Sequence, residues 1–439
     1  MAEKLRKAAP DFAIHVGDIV HPVPVLPTYA SAADAANLTF QDLGFPVHYI
    51  PGNHEVGDKP MAGLPAARIT EEAVEEYVHH FGPDYADFKH KGCKFVLINC
   101  QLLNSDLLSE KPHNEWLENC LVERDSDEPL FLFTHYPPFL LKHDEVSCYD
   151  NLDEPKRSWL LDLMDHANVT TLFAGHVHHF FYHHHRGTEH YLMPSTCFTR
   201  QDNNELFRAA PHDQAEFGHD DFDKLGFCLV DVYADKHIVR ITRIHGDGVV
   251  LGGKLPEMNP VVATHHPNDD KLAPLGLHMR YPWAEVVELP YNPLDEFVRK
   301  RARNDYTLIA MWELGVRRLR VPISDLLNET SRERMAAMHF QGVKFVVFNM
   351  GIPTDDQIKV LAENSDIVET LEVVYDWQFA DELGGAIKDL KSKITIPIQV
   401  ARVESGREKQ REGSKYSHFV SSGFGPGEWD VIDDFRSST

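Results

Sequence analysis

The stretch VTTLFAGHVH, residues 169–178, decides how this chain reads. Its first half is a continuous apolar run, as expected of a strand buried on both faces, and a glycine then delivers two histidines. Three other stretches share the pattern. DFAIHVGD (11–18) ends in Gly17-Asp18, PVHYIPGNHE (46–55) ends in Gly52-Asn53-His54-Glu55, and PLFLFTH (129–135) closes on His135. In α/β sheets ligand groups collect where strands end at their carboxyl edge, because loops there face one crevice. The glycines at 17, 52 and 175 let the backbone turn so that the next side chain points inward.

The residue types are those of a metal site. Imidazoles, a carboxylate and an amide oxygen suit Mn, Fe, Zn or Ni better than Ca or a thiolate-bound metal. Two divalent ions about 3.5–4 Å apart can bind a phosphoryl oxygen and activate water. Asp18 is the natural bridge, since its two oxygens can serve two cations. Each short motif occurs by chance, but the ordered set of GD, GNHE, H and GHVH, each after a strand, is specific.

With PGNHEVGDKP, FGPDYADF, NEWLENCL and FTHYPPF around it, the set resembles the calcineurin-like metallophosphoesterase family over nearly all of residues 10–245. The resemblance implies a four-layer α/β/β/α sandwich with a dinuclear site at one edge and a phosphomonoester or phosphodiester as substrate. It implies metal ligation by Asp18, Asn53, His135 and His176 at one ion, with His178 at the other. His54 would stabilise or protonate the leaving oxygen, oriented by an acidic side chain.

One family element has no counterpart. Members open with a strand carrying D-x-H well before GD, and here GD begins at Gly17. The second metal keeps only Asp18 and His178, fewer than the usual four ligands. Neither Asp144 nor Asp150 supplies the motif. MAEKLRKAAPDF reads as the tail of a helix entering a strand, so the expectation is a chain incomplete at its N-terminus, with the missing strand leaving an apolar sheet edge.

The chain has 439 residues, 43% hydrophobic and 25% charged, with formal net charge −25. That charge argues against a nucleic-acid backbone or an anionic membrane as partner. Six scattered cysteines favour a reducing compartment, hence the cytoplasm, with Cys93, Cys100, Cys197 and Cys228 read as core thiols. No apolar run reaches membrane-span length.

Three segments follow: a phosphoesterase-type domain at 1–254, a linker at 255–279 rich in Pro, Asn and His, and 280–439. In the last, RRLRVPI, KFVVFNM, IVETLEVVYD and IPIQVARV alternate with helical stretches, which resembles part of a (β/α) barrel. Asn349, Asp376, Arg402 and Glu404 near its strand ends are either functional or loop-capping residues. His183–His185 reads as an auxiliary metal site or a solvated loop, and three adjacent imidazoles converge poorly on one ion. His21, Arg186 and Arg200 are candidate phosphate contacts. Against hydrolysis stand two alternatives: a binding module that has lost a metal, and chemistry seated in the barrel-like part. Oligomeric state is not legible.

Overall fold

The computed structural model describes residues 1–61, 66–122, 128–200, 224–234, 236–244, 249–250, 253–254, 276–289, 299–404, 421–422, 424 and 427–438. Most of the expected linker, 255–275, lies outside them. The fold is mixed α/β, and the chain divides into two compact units. One comprises 1–264 with 286–313, the other 265–285 with 314–439.

In the first unit a six-stranded sheet runs in the order Ala86–His90, Cys93–Leu97, Leu130–Thr134, Thr171–Ala174, Thr188–Leu192, Phe181–His185. Its interior pairings are parallel and both edge strands are antiparallel. Cys93–Leu97, Leu130–Thr134 and Thr171–Ala174 are buried at every position, which is why their sequences are mostly apolar without alternation; the buried Lys94 donates its Nζ to Cys120 O.

The two faces differ. Val96, Leu130, Leu132 and Leu172 share a core with Leu117, Leu121, Leu160 and Met164 of the helices Glu110–Val122 and Lys156–His166. On the other face Phe88, Phe95, Phe131, Phe133, Phe173 and Tyr191 touch from strand to strand, many with nearly parallel rings. Phe12 meets the rings of Phe88 and Phe95 edge-on, at the start of a parallel pair Ala13–His15 with Val47–Tyr49. His237 meets Phe131 in the same way, from the hairpin Gly226–Val232 with His237–Arg243. An apolar strand carrying a candidate ligand just past its end therefore occurs four times in the unit, at Asp18, Asn53, His135 and His176.

The N-terminal helix spans Ala2–Ala8 and leads into Ala13–His15 within five residues, in line with the sequence reading. Sequence pattern missed the helix Tyr29–Gln41, whose apolar residues are mostly alanines and mark no clear buried stripe, and the edge strand Ala86–His90. His183–His185 form part of an edge strand rather than a loop, so 183 and 185 alternate with 184 across it. His183 and His185 flank Phe139 with His190, and the strand geometry keeps the three consecutive rings apart. Cys93 and Cys100 are buried, whereas Cys197 is exposed because the chain has left its strand at Leu192. No helix among the described residues is long and apolar enough to cross a membrane.

Two buried imidazoles away from the strand ends make this unit acid-sensitive. His113 is fully buried and burial pulls it down to about 4; His190, 1% exposed, is pulled by burial and then by His185 to about 3. Both fold in the neutral form. Their contribution is complete above pH 6.5, the unfolded value, and is lost as pH falls from 6.5 towards 4 and 3. Each costs about 2 kcal/mol by pH 5 at 1.36 kcal/mol per unit. The urea midpoint is expected to fall between pH 7 and pH 5, less steeply in His113→Leu; equal slopes would reject this assignment.

The second unit has a sheet ordered Gly276–His278, Arg318–Pro322, Lys344–Met350, Val368–Asp376, Ile398–Glu404, Ser421–Ser422. Its first five strands are parallel and the last is antiparallel. Helices Glu329–Phe340, Asp355–Glu363 and Ala380–Lys393 fill the crossovers, as the strand–helix alternation predicted. Arg320 forms a bidentate pair with Glu372 across the intervening strand, over the ring of Phe348. The Asn349 amide donates to Gly351 O and Arg402 pairs with Glu428 at 2.6 Å. Both side chains are thus engaged within their own unit.

Candidate metal centre

The strand ends bring Asp18, Asn53, His135 and His176 together. Ligand atoms of Asp18, His135 and His176 all lie within 4.8 Å of one another. Asn53 Oδ1 lies 3.0 Å from His135 Nε2 and 3.2 Å from His176 Nδ1. His135 Nε2 is also 3.3 Å from Asp18 Oδ1.

Each group is oriented from behind. His135 Nδ1 donates to Val16 O at 2.8 Å, which turns Nε2 towards Asn53 and Asp18. The Asn53 amide donates to Tyr149 Oη at 3.3 Å, turning Oδ1 towards the imidazoles. Asp18 Oδ1 accepts from the His54 backbone N–H at 3.1 Å.

The backbone is strained where these side chains turn in. Asp18, His176 and His178 have φ of 53°, 67° and 54°, a region that costs about 1–3 kcal/mol for residues other than glycine. Gly17, at φ 91°, packs so tightly that an added Cβ would overlap His135 Nδ1 and the backbone of Gly52. Gly52 in turn leaves no room for a Cβ against Asp18. The glycines therefore serve close approach of the loops as much as their turning.

Electrostatics point the same way. Burial would raise Asp18, but His135, His54 and His176 hold it well below the usual carboxylate range. Burial works against charge on His135, yet the Asp18 carboxylate raises it overall. Burial, with His135 and Arg200 beside it, pushes His176 far down. His176 Nε2 and His178 Nδ1 are buried without a hydrogen-bond partner, and the oxygens of Asn53 and Asp18 converge on the imidazoles, so the donor set fits a divalent metal.

His178 stands apart from this group. Burial lowers it to about 4, its Nδ1 is buried without a hydrogen bond, and its ring meets Phe198 edge-on at 4.6 Å. His54 sits at the rim with Nδ1 donating to His21 O at 2.6 Å. That carbonyl, not the expected acidic side chain, orients the ring. His21 packs against His54 with ring centroids 4.8 Å apart. Arg186 pairs with Asp162 at the surface, whereas Arg200 joins Asp150 beside His176.

Two carboxylates escaped the motif reading. Glu55 is fully buried and accepts three backbone N–H groups, from Asp18 at 2.9 Å, Gly52 at 2.8 Å and Val20 at 3.1 Å. It staples the Asp18 loop to the Asn53 turn. Burial, then Asp18, raises it to about 7. Asp150, 1% exposed, faces His176 Nε2 at 3.6 Å. Burial opposes its charge, but Arg200 and Lys300 keep it well below the usual range. Glu55 was visible inside GNHE; nothing local in the sequence marked Asp150.

Residues 1–180 match the family model for calcineurin-like phosphoesterases and carry a domain of that kind. Curated relatives include the serine/threonine-protein phosphatase CPPED1 of Danio rerio, 31% identical over 178 residues, which are 38% of this chain and 54% of that protein. The Homo sapiens protein of the same name is 28% identical over 177 residues, with the same shares covered. The chain spans about half the length of these relatives. Among solved structures, the purple acid phosphatase PPD1 from yellow lupin seeds aligns at TM-score 0.40 and 17% identity, covering 57% of this chain and 47% of that one. GAP50 of Plasmodium aligns at TM-score 0.37 and 14% identity, over 58% and 81%.

Proposed function

We propose that this chain is a metal-dependent phosphoesterase that hydrolyses a phosphomonoester or phosphodiester with activated water. The observation that carries this is the convergence of Asp18, Asn53, His135 and His176 on one point. These four would hold one divalent ion, Mn, Fe, Zn or Ni, and Asp18 with His178 would contribute to a second. When bound, such ions polarise the phosphoryl group and lower the pKa of water. The chain's own part is orientation and proton transfer. Because His54 Nδ1–H donates to His21 O, the ring would act in its imidazolium form, passing the Nε2 proton to the leaving oxygen and returning to the Nδ1–H tautomer. Arg200, partly exposed over the Tyr149 ring, adds positive charge beside the site.

The relatives' printed activity makes phosphoserine and phosphothreonine in proteins the first substrates to try, and the −25 charge disfavours a nucleic-acid backbone. We read the first unit as a four-layer α/β/β/α sandwich, supported by one sheet face lying on helices and the other on strands. The second unit we read as a partial (β/α) barrel, supported by five parallel strands with helical crossovers. Free thiols favour a cytoplasmic setting.

A second reading has its own observation: His178 lies outside the converging group. On that reading the domain binds one metal and a phosphorylated partner without turnover. Chelator-stripped protein is expected to be inactive towards an aryl phosphate and to regain turnover with Mn²⁺. Metal binding without turnover supports the binding module, and no metal binding at all rejects both readings.

A further inference from the structure

Past the strand Thr188–Leu192, residues 193–200 are tied down at several points. Met193 N donates to Ala174 O at 2.7 Å, and Ser195 O accepts from Gly226 N at 3.0 Å. Ser195 Oγ accepts from the backbone N–H groups of Cys197 and Phe198 at 3.1 and 3.3 Å, a local turn that fixes Phe198. Two residues further on, Arg200 is held by Asp150 and lies over the Tyr149 ring.

Between these ties Phe198 keeps 46% of its surface exposed. Single exposed apolar side chains are common, so exposure alone assigns nothing. The neighbours of this ring do. It stands edge-on to His178 at 4.6 Å and to His21 at 6.3 Å, and His21 packs on His54 with centroids 4.8 Å apart. His54, His21, Phe198 and His178 form a continuous row of rings, and its first member donates its backbone N–H to Asp18 Oδ1. Phe198 is the one wholly apolar side chain in that row.

We propose that Phe198 is a specificity-determining residue whose exposed face receives an aromatic or bulky apolar group carried on the leaving alcohol of the phosphoester. This rests on the phosphoester reading above and adds which esters the site favours. With the phosphoryl group at the metal centre and the leaving oxygen at His54, the substituent on that oxygen runs along the row of rings. A ring laid against Phe198 removes apolar surface of both partners from water and gains stacked or edge-to-face contact. A compact alcohol ends short of Phe198 and gains neither.

The test titrates Mn²⁺-loaded full-length protein with 2-phenylethylphosphonate and with ethylphosphonate, which share one acid group and are not hydrolysed. Wild type is expected to bind the phenyl compound about 3–10-fold more tightly, Phe198→Leu to keep part of that preference, and Phe198→Ala to bring the two within about twofold. Equal affinities in wild type, binding of neither compound, or a preference that survives Phe198→Ala overturns the proposal. So does an equal loss for both ligands, which would make Phe198 only a support for His178. Turnover of 2-phenylethyl phosphate and ethyl phosphate, whose leaving alcohols are of similar basicity, is followed in parallel. No turnover of either removes hydrolysis, and the phosphonate titrations still decide the role of Phe198. Phosphoserine peptides with Phe or Ala beside the phosphoserine identify the source of the ring. A Phe preference lost in Phe198→Ala assigns it to a protein side chain; its absence, with the phosphonate preference intact, assigns it to a small ester.

Discussion

Replacing Glu55 by alanine is expected to destabilise the first unit by about 3 kcal/mol or more. Its two oxygens accept the N–H groups of Asp18, Val20 and Gly52, and the carboxylate is completely buried. Alanine strands three buried donors, each worth about 1–3 kcal/mol when left without a partner. The loop they hold also carries Asp18 at a positive φ, so the strain stored there is released as the loop loosens. Urea unfolding followed by tryptophan fluorescence measures the loss. Glutamine retains one carbonyl acceptor and is expected to recover part of it. A Glu55→Ala protein within about 1 kcal/mol of wild type would show that water replaces the carboxylate, and the staple would be incidental.

The second large effect is on turnover. His54→Ala is expected to lower kcat for an aryl phosphate by about 10²–10⁴-fold, the range for a positioned proton donor, with Mn²⁺ affinity unchanged. The prediction separates two roles of one residue. The His54 backbone N–H donates to Asp18 Oδ1 and survives the substitution, while the ring, tied to His21 O, lies outside the group of converging ligand atoms. Poor leaving groups should suffer more than p-nitrophenol, because they depend more on protonation. Equal losses in kcat and in metal affinity would instead make His54 a part of the metal-holding framework.

His54, like Asp18, Asn53, His135, His176 and His178, could be picked out by type and position, because each follows a glycine or closes an apolar strand. Glu55 sat next to them in the same motif but carried no visible role, since its partners, Asp18 and Val20, are over thirty residues away. Asp150 looked like one more acid in an acidic loop. The carbonyl of His21, which holds the His54 ring, leaves no signature in a sequence at all.

Local sequence carries the mixed α/β character, the strand–helix alternation of both units and the candidate metal ligands. Those features follow from local periodicity and from side-chain chemistry, which each short segment carries alone. Tertiary structure decided which candidates meet. It joined Asp18, Asn53, His135 and His176, set His178 beside Phe198, and folded the His183–His185 run into a strand that separates its rings. It also returned Lys300 to Asp150 across 150 residues. The physical reason is that a buried charge is tolerated only where the whole chain's packing supplies its partner, and no local pattern encodes such a distant pairing.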